Sequence, residues 1–222
     1  MATDALLLAA IRDVLGRAAS VNYNNPAASN DLYECYVWTL CLDAARKQGA
    51  DIRFENVHGA TTDSLVFRTA PGEIYSRQHP YAHAVITFAQ LPPLELHIGV
   101  RVTGKSQVRH ECDVAVLDQA EASMCRSRRV HPRASKVLIA AECKFYTSAI
   151  QLHLGRGFLG LTSEIHKRAR YFVTNSTSAS VGRLIAHYDT EWDDQVVPRS
   201  QAADSLRHSF MRVFRRYVNT NG

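Results

Sequence analysis

Three residues in this chain carry charge where an apolar strand would be expected to carry none. Asp113 lies within the stretch 108–117 (VRHECDVAVL), and Glu142 and Lys144 lie within 136–145 (KVLIAAECKF). A strand reverses side-chain direction at each residue, so Glu142 and Lys144 are predicted to project together, with Ala140 and Leu138 on the same face. Charged groups in such surroundings are costly unless they are paired with one another or hold a metal. Residues 106–146 are therefore the stretch most suited to chemistry. A buried ion-pair cluster with no substrate is the competing reading of the same three residues.

The elements that must position them can be read in order. A first helix starts near Thr3 as N-cap, with Leu7, Ile11, Val14 and Leu15 at helical spacing. Residues 20–30 (SVNYNNPAASN) read as a loop, and a second helix spans about 32–48 before Gly49. Asp31 and Glu34 have the spacing of a capping box, and Glu34 shares a helix side with Val37, Trp38 and Cys41. Strands are predicted at 64–69 and 82–89. The stretch 94–102 (LELHIGVRV) alternates with period two, ends at the turn signal Thr103-Gly104-Lys105, and should pair with 108–117 as a hairpin.

Residues 118–135 read as a loop leading into the strand 136–145. Thr147 could cap a helix through Ile150, Leu154 and Phe158, and a buried strand at 171–174 and a helix at 179–188 follow. A strand–helix–strand path of this kind makes a parallel crossover. Residues 191–194 (EWDD) read as a solvated acidic loop. The last helix, 201–218, carries a stripe of Leu206, Phe210, Val213, Phe214 and Tyr217, with His208, Arg212, Arg215 and Arg216 on its other side. Because the central strands are apolar on both faces, the expected fold is α/β, a three-layer α/β/α domain around a central mixed sheet. One domain over 1–222 is the economical division, with helices at 3–48, sheet at 64–175 and helices at 179–218.

Composition sets the outer limits. The chain has 222 residues, 46% hydrophobic and 21% charged, and a net charge of +5, ordinary for one globular domain. A moderate positive balance suits a polyanionic partner without requiring one. The cysteines, Cys35, Cys41, Cys112, Cys125 and Cys143, are odd in number and lack a CxxC or zinc spacing. Together with the lack of a signal-peptide pattern or a bilayer-spanning run, this leads to the expectation of a soluble, cytoplasmic protein with no membrane partner.

Helix with a glutamate, antiparallel strands, an aspartate, Glu-x-Lys on the next strand, then helix, strand and helix: this order resembles the PD-(D/E)xK nuclease superfamily, the restriction-endonuclease-like fold. The residues that carry the resemblance are Asp113 in HECDVAVLD, Glu142-Cys143-Lys144 in AAECKFY, and Glu34 as the acidic residue of the preceding helix. Element order is shared over about 31–188. The chain departs from the pattern at Cys112, where the motif has proline.

The resemblance implies metal-dependent hydrolysis of phosphodiester bonds, with DNA favoured over RNA as substrate. A divalent ion neutralises the anionic diester and activates water, and Mg²⁺, with Mn²⁺ as substitute, takes carboxylate oxygens. Asp113 and Glu142 would supply these, Glu34 directly or through water. Lys144 would orient the attacking water, and burial could lower its pKa enough to help take a proton, although the nearby carboxylates push the other way. Glu111 shares a strand face with Asp113 and could be a substitute ligand, but its place nearer the strand start favours a contact with Arg109 or solvent. Cys143, His110 and Cys112 point away from the proposed site by strand alternation.

Basic residues supply a second line of argument, since Arg and Lys contacts to phosphate dominate nucleic-acid affinity. Arg126, Arg128, Arg129, His131, Arg133 and Lys136 follow the Asp113 strand, and Arg156, Lys167, Arg168 and Arg170 could extend the patch. Gln151 occupies the region where some branches of the superfamily carry a polar accessory residue. A homodimer would be the simplest way to cut both strands. The alternatives are a ribonuclease, an inactive nucleic-acid-binding module with the nuclease fold, and a structural or interaction subunit.

Overall fold

A computed structural model describes residues 4–16, 20–21, 29–165, 170–188 and 190–221. Helix α1 (Asp4–Leu15) buries Leu7, Ile11 and Leu15, one per turn. Thr3, its expected cap, lies outside the described residues, as do Lys167, Arg168 and most of 20–30. Strand β1 (Ser20–Val21) precedes helix α2 (Ser29–Lys47). Because α2 begins at Ser29, Asp31 falls inside its first turn rather than at its cap, which removes the capping-box geometry expected with Glu34.

Helix α2 is buried on nearly every side, from Leu32 and Tyr33 through Trp38 to Ala45. It packs against α1, against the last helix and across the sheet. Side-chain hydrogen bonds fix it in place: Tyr33 Oη donates to the Val196 carbonyl at 2.9 Å, and Trp38 Nε1 donates to the Leu96 carbonyl at 3.2 Å.

Next come β2 (Asp51–Asn56), β3 (Ser64–Leu65), β4 (Ala82–Thr87), β5 (Leu94–Thr103) and β6 (Arg109–Asp118). The strand expected over 64–69 shrinks to the two residues of β3, which pair in parallel with β1 as a separate ribbon. Strand β2 was not anticipated. The loop expected at 118–135 is largely helix α3 (Gln119–Arg128), followed by a 3₁₀ turn at Ala134–Lys136. Glu121, Ala122 and Cys125 form the buried side of α3, and Arg129 ends it in a left-handed conformation with φ 56°.

Strand β7 (Val137–Lys144), helix α4 (Leu152–Glu164), strand β8 (Arg170–Thr174), helix α5 (Ala179–His187), strand β9 (Trp192–Asp193) and helix α6 (Gln201–Asn221) complete the chain. Helix α4 starts five residues after Thr147, with Gln151 in extended backbone as its N-cap residue. Gly155 lets α4 and α5 approach, since a Cβ there would lie 3.2 Å from Val181 Cγ1. Helix α6 buries Leu206, Phe210 and Phe214, with Val213 and Tyr217 partly covered, as its stripe predicts.

The strands form a mixed seven-stranded sheet in the order β2-β4-β5-β6-β7-β8-β9. Pairing is antiparallel from β2 to β7 and parallel from β7 through β9, so β7–α4–β8 is the expected parallel crossover. The sheet therefore spans residues 51–193, wider at both ends than expected. Helices cover both faces, an α/β arrangement compatible with three layers. One core joins α1, α2 and α6 to Leu96, Ile98, Val114, Ile139 and Ala141. A second lies under α3, around Val100, Val102, Cys112, Ala115, Leu117 and Ala140. A third packs α4 and α5 on Phe172.

Two irregularities shape the centre. Gly99 in β5 has φ 59°, a left-handed conformation that glycine adopts freely. On either side of it the pairs Ile98↔Val114 and Val100↔Cys112 belong to different cores. In β7 the register slips between Val116↔Ile139 and Leu117↔Val137, leaving Leu138 bulged. Leu138 consequently packs on the first core while Ala140 packs in the second, so these two do not share the face predicted for them. All five cysteines are buried free thiols. No helix among the described residues is long and apolar enough to cross a membrane.

Candidate functional site

The β6–β7 ladder runs from Leu117↔Val137 to Val114↔Ala141. Asp113 and Glu142 are the next residues along, at the point where the ladder ends. Asp113 is 3% exposed. Its Oδ2 accepts the backbone N–H of Cys143 at 2.7 Å, so a side-chain oxygen takes the place of a ladder carbonyl. Lys144, the last residue of β7, holds its Nζ 2.7 Å from Glu142 Oε1 and 3.5 Å from Asp113 Oδ2. The Asp–Glu-x-Lys set that the sequence singles out is thus one contiguous group.

Glu34 comes to the same group from α2. It is partly buried, and its carboxyl is held well above the usual range, first by burial and then by the charges of Asp113, Asp31 and Glu111. Asp113 is likewise held up, first by burial and then by Glu142, against the pull of Lys144 and of the Cys143 N–H. Glu111 is raised by burial and by Glu142. Burial alone would lower Lys144, but Asp113 and Glu142 outweigh it and keep the ammonium well above its ordinary value. The lowered lysine pKa that burial could have produced does not arise, and Lys144 acts as a fixed cation.

Two carboxyl groups contact the one ammonium, and Glu34 and Glu111 lie near enough to feel its charge. This surplus of oxygen donors fits a hard divalent cation, which takes one or two carboxylates and keeps its other positions for water. Downstream of Lys144 the backbone is clamped: Asn175 accepts the Tyr146 N–H at 2.8 Å and donates to the Tyr146 carbonyl at 2.9 Å. The two-sided bond ties the segment after β7 to the segment after β8. Sequence reasoning passed over Asn175, whose only signal was its position just past a buried strand.

The basic residues separate into two sets. Arg126 makes a bidentate pair with Glu95, Nη1 to Oε2 at 2.7 Å and Nη2 to Oε1 at 2.6 Å. Arg133 makes another with Glu121, and Lys136 lies 3.2 Å from Asp118. Their charge is already neutralised within the chain. Arg128, Arg129, Arg156 and Gln151 are exposed, with Arg129 over the Tyr75 ring at 5.8 Å. His110 faces Glu164 at 3.6 Å, and Cys112 and Cys143 are buried in the cores.

A separate constellation was not anticipated. His83 on β4 and Glu95 and His97 on β5 are all buried, and their ligand-capable atoms lie within 4.8 Å of one another. Among the described residues no other set of three His, Cys, Asp or Glu side chains meets that distance, and Glu34, Asp113 and Glu142 do not meet it as a trio. In the sequence, Glu95 and His97 look like the solvent side of an alternating strand, and nothing local reveals that α3 covers them. No protein-family model matches the chain, and no curated protein or solved structure compared with it gives a match.

Proposed function

We propose that this chain is a metal-dependent nuclease of the PD-(D/E)xK type, with a restriction-endonuclease-like fold, acting on DNA. The observation that carries the reading is the contact of one ammonium, Lys144, with both Asp113 and Glu142 where the β6–β7 ladder ends. The carboxylates lie on neighbouring strands of a mixed sheet, after a helix that brings in Glu34.

Asp113 and Glu142 would hold Mg²⁺ or Mn²⁺, with Glu34 as the third carboxyl, and the ion would supply charge neutralisation of the diester and activation of water. Lys144 remains an ammonium and so stabilises negative charge developing on the phosphate rather than acting as a base. Glu34, whose carboxyl is raised by burial and then by the charges of Asp113, Asp31 and Glu111, would give up its proton on joining the ion. Arg128, Arg129 and Arg156 offer unpaired charge to the phosphate backbone, with Gln151 at the start of α4 as a polar contact.

The test is incubation of purified protein with plasmid, linear duplex, single-stranded DNA and RNA, with Mg²⁺ or Mn²⁺. Lys144→Ala and Asp113→Ala serve as controls. Cleavage by wild type alone supports the reading, and cleavage confined to RNA makes the chain a ribonuclease. Equal cleavage by the variants removes the site from the chemistry. Salt-sensitive binding without cleavage identifies an inactive binding module.

A further inference from the structure

We propose that His83, Glu95 and His97 form a second metal site, for a borderline divalent cation of the Zn²⁺ class, on the α3 side of the sheet. It is independent of the nuclease reading and uses none of its residues. The pairing Ala84↔Leu96 sets His83 beside His97 across the β4–β5 ladder, and Glu55↔His83 extends the row to β2. The two imidazoles stack with centroids 4.8 Å apart and an interplanar angle of 19°.

Both Nε2 atoms converge on one oxygen. Glu95 Oε2 lies 2.9 Å from His97 Nε2 and 3.5 Å from His83 Nε2, and Glu55 Oε2 lies 3.9 Å from His83 Nε2. Neighbouring ligand atoms of a tetrahedral Zn²⁺ with bonds near 2.0 Å are about 3.3 Å apart, so a set whose ligand atoms lie within 4.8 Å closes once its widest pair draws in by about 1.5 Å. His83 is 3% exposed and its Nε2 is buried without a hydrogen-bond partner. An orphaned buried nitrogen of this kind costs about 1–3 kcal/mol, and a cation at the convergence point would satisfy it.

Imidazole nitrogen with carboxylate oxygen is the donor set of Zn²⁺ rather than of Mg²⁺ or Ca²⁺. Arg126 grips both Glu95 oxygens and so fixes the carboxylate's orientation, the role that outer hydrogen bonds play around metal ligands. The guanidinium groups of Arg126 and Arg68 also face the histidines and oppose added positive charge, while Glu55 offsets it.

The experiment is equilibrium dialysis of EDTA-treated, dialysed protein against Zn²⁺, read as metal per chain, with a parallel Co²⁺ titration followed by visible absorption and a melting curve. Wild type should retain one Zn²⁺, show ligand-field bands of a low-symmetry Co²⁺ site, and melt at a higher temperature with Zn²⁺. His83→Gln should lose the bands and the shift, Glu55→Gln should weaken them, and Asp113→Asn, at the other site, should keep them. If His83→Gln does not fold by circular dichroism, the wild-type Co²⁺ bands and Glu55→Gln decide. Folded wild type without retained Zn²⁺ or Co²⁺ bands overturns the proposal, and so does binding that folded His83→Gln leaves unchanged.

Discussion

The Asp113 carboxylate accepts the Cys143 backbone N–H at 2.7 Å, joining β6 to β7 just beyond the last ladder pair, Val114↔Ala141. Asp113 therefore has a structural duty apart from any chemistry. Asparagine keeps an oxygen acceptor at this position and alanine does not. Asp113→Ala should lose about 1–3 kcal/mol in urea titration through the unpaired N–H, while Asp113→Asn stays near wild type. Equal stability of the two variants would remove the structural role. Under the proposed function both lose cleavage.

Lys144→Met keeps most of the side-chain volume and removes the charge that bridges Glu142 and Asp113. Metal-dependent cleavage should fall by about 10²-fold or more, with circular dichroism unchanged. A variant retaining wild-type cleavage would exclude Lys144 from transition-state stabilisation.

Arg126 and Arg129 are neighbours on the same helix end with different fates. Arg126→Ala strips the buried Glu95 of its bidentate partner and should destabilise the protein by about 3–5 kcal/mol in denaturant titration. Arg129→Ala and Arg128→Ala should leave the melting temperature almost unchanged. Each should instead reduce the slope of log K against log salt by about 1 in nucleic-acid binding. Reversal of this pattern would mean that α3 presents Arg126 to the substrate.

Asp193 supplies a pH signature. Its carboxyl is pushed up to about 7 by burial, then by Glu191, and its Oδ2 is buried without a hydrogen-bond partner. Between the ordinary aspartate value and about 7 the folded state holds the proton more tightly than the unfolded state. The group's contribution is thus full at acid pH and lost as pH rises through about 7. Asp193→Asn should raise the melting temperature by a few °C at pH 8.5 and by clearly less at pH 5. A gain independent of pH would contradict the buried-acid account.

Gly99 permits no side chain cheaply. Its φ is +59°, and an added Cβ would lie 3.3 Å from Arg68 Cβ. Gly99→Ala should cost more than about 1 kcal/mol in thermal or urea unfolding, and a neutral result would mean that β5 can relax out of the left-handed turn.

Much of this architecture was legible because period-two and period-3.6 patterns fall on elements buried on at least one side. The β5–β6 hairpin, the β7–α4–β8 crossover and the α6 stripe all announce themselves. So does the proximity of Asp113, Glu142 and Lys144, since strand alternation and adjacency suffice to bring them together. Strand β2 had the alternation too, Ile52 and Phe54 between Asp51, Arg53 and Glu55, but as an edge it carries so much charge that the pattern does not stand out. Helix α3 was masked by its serines and arginines, although Ala, Glu and Met favour helix. The His83, Glu95 and His97 group was illegible because its burial depends on a helix some thirty residues away. The Arg126 and Arg133 pairs were hidden for the same reason, since tertiary partners decide whether an arginine is free.

The reversal at Gly99 has a mechanical corollary. Strands β5 and β6 contribute Leu96, Ile98 and Val114 to one core and Val100, Val102 and Cys112 to the other. Neither core can melt without dragging the shared hairpin with it. Loss of order should accordingly be all-or-none: the burial of Trp38 in the first core and the thiol protection of Cys125 in the second should disappear at one denaturant concentration.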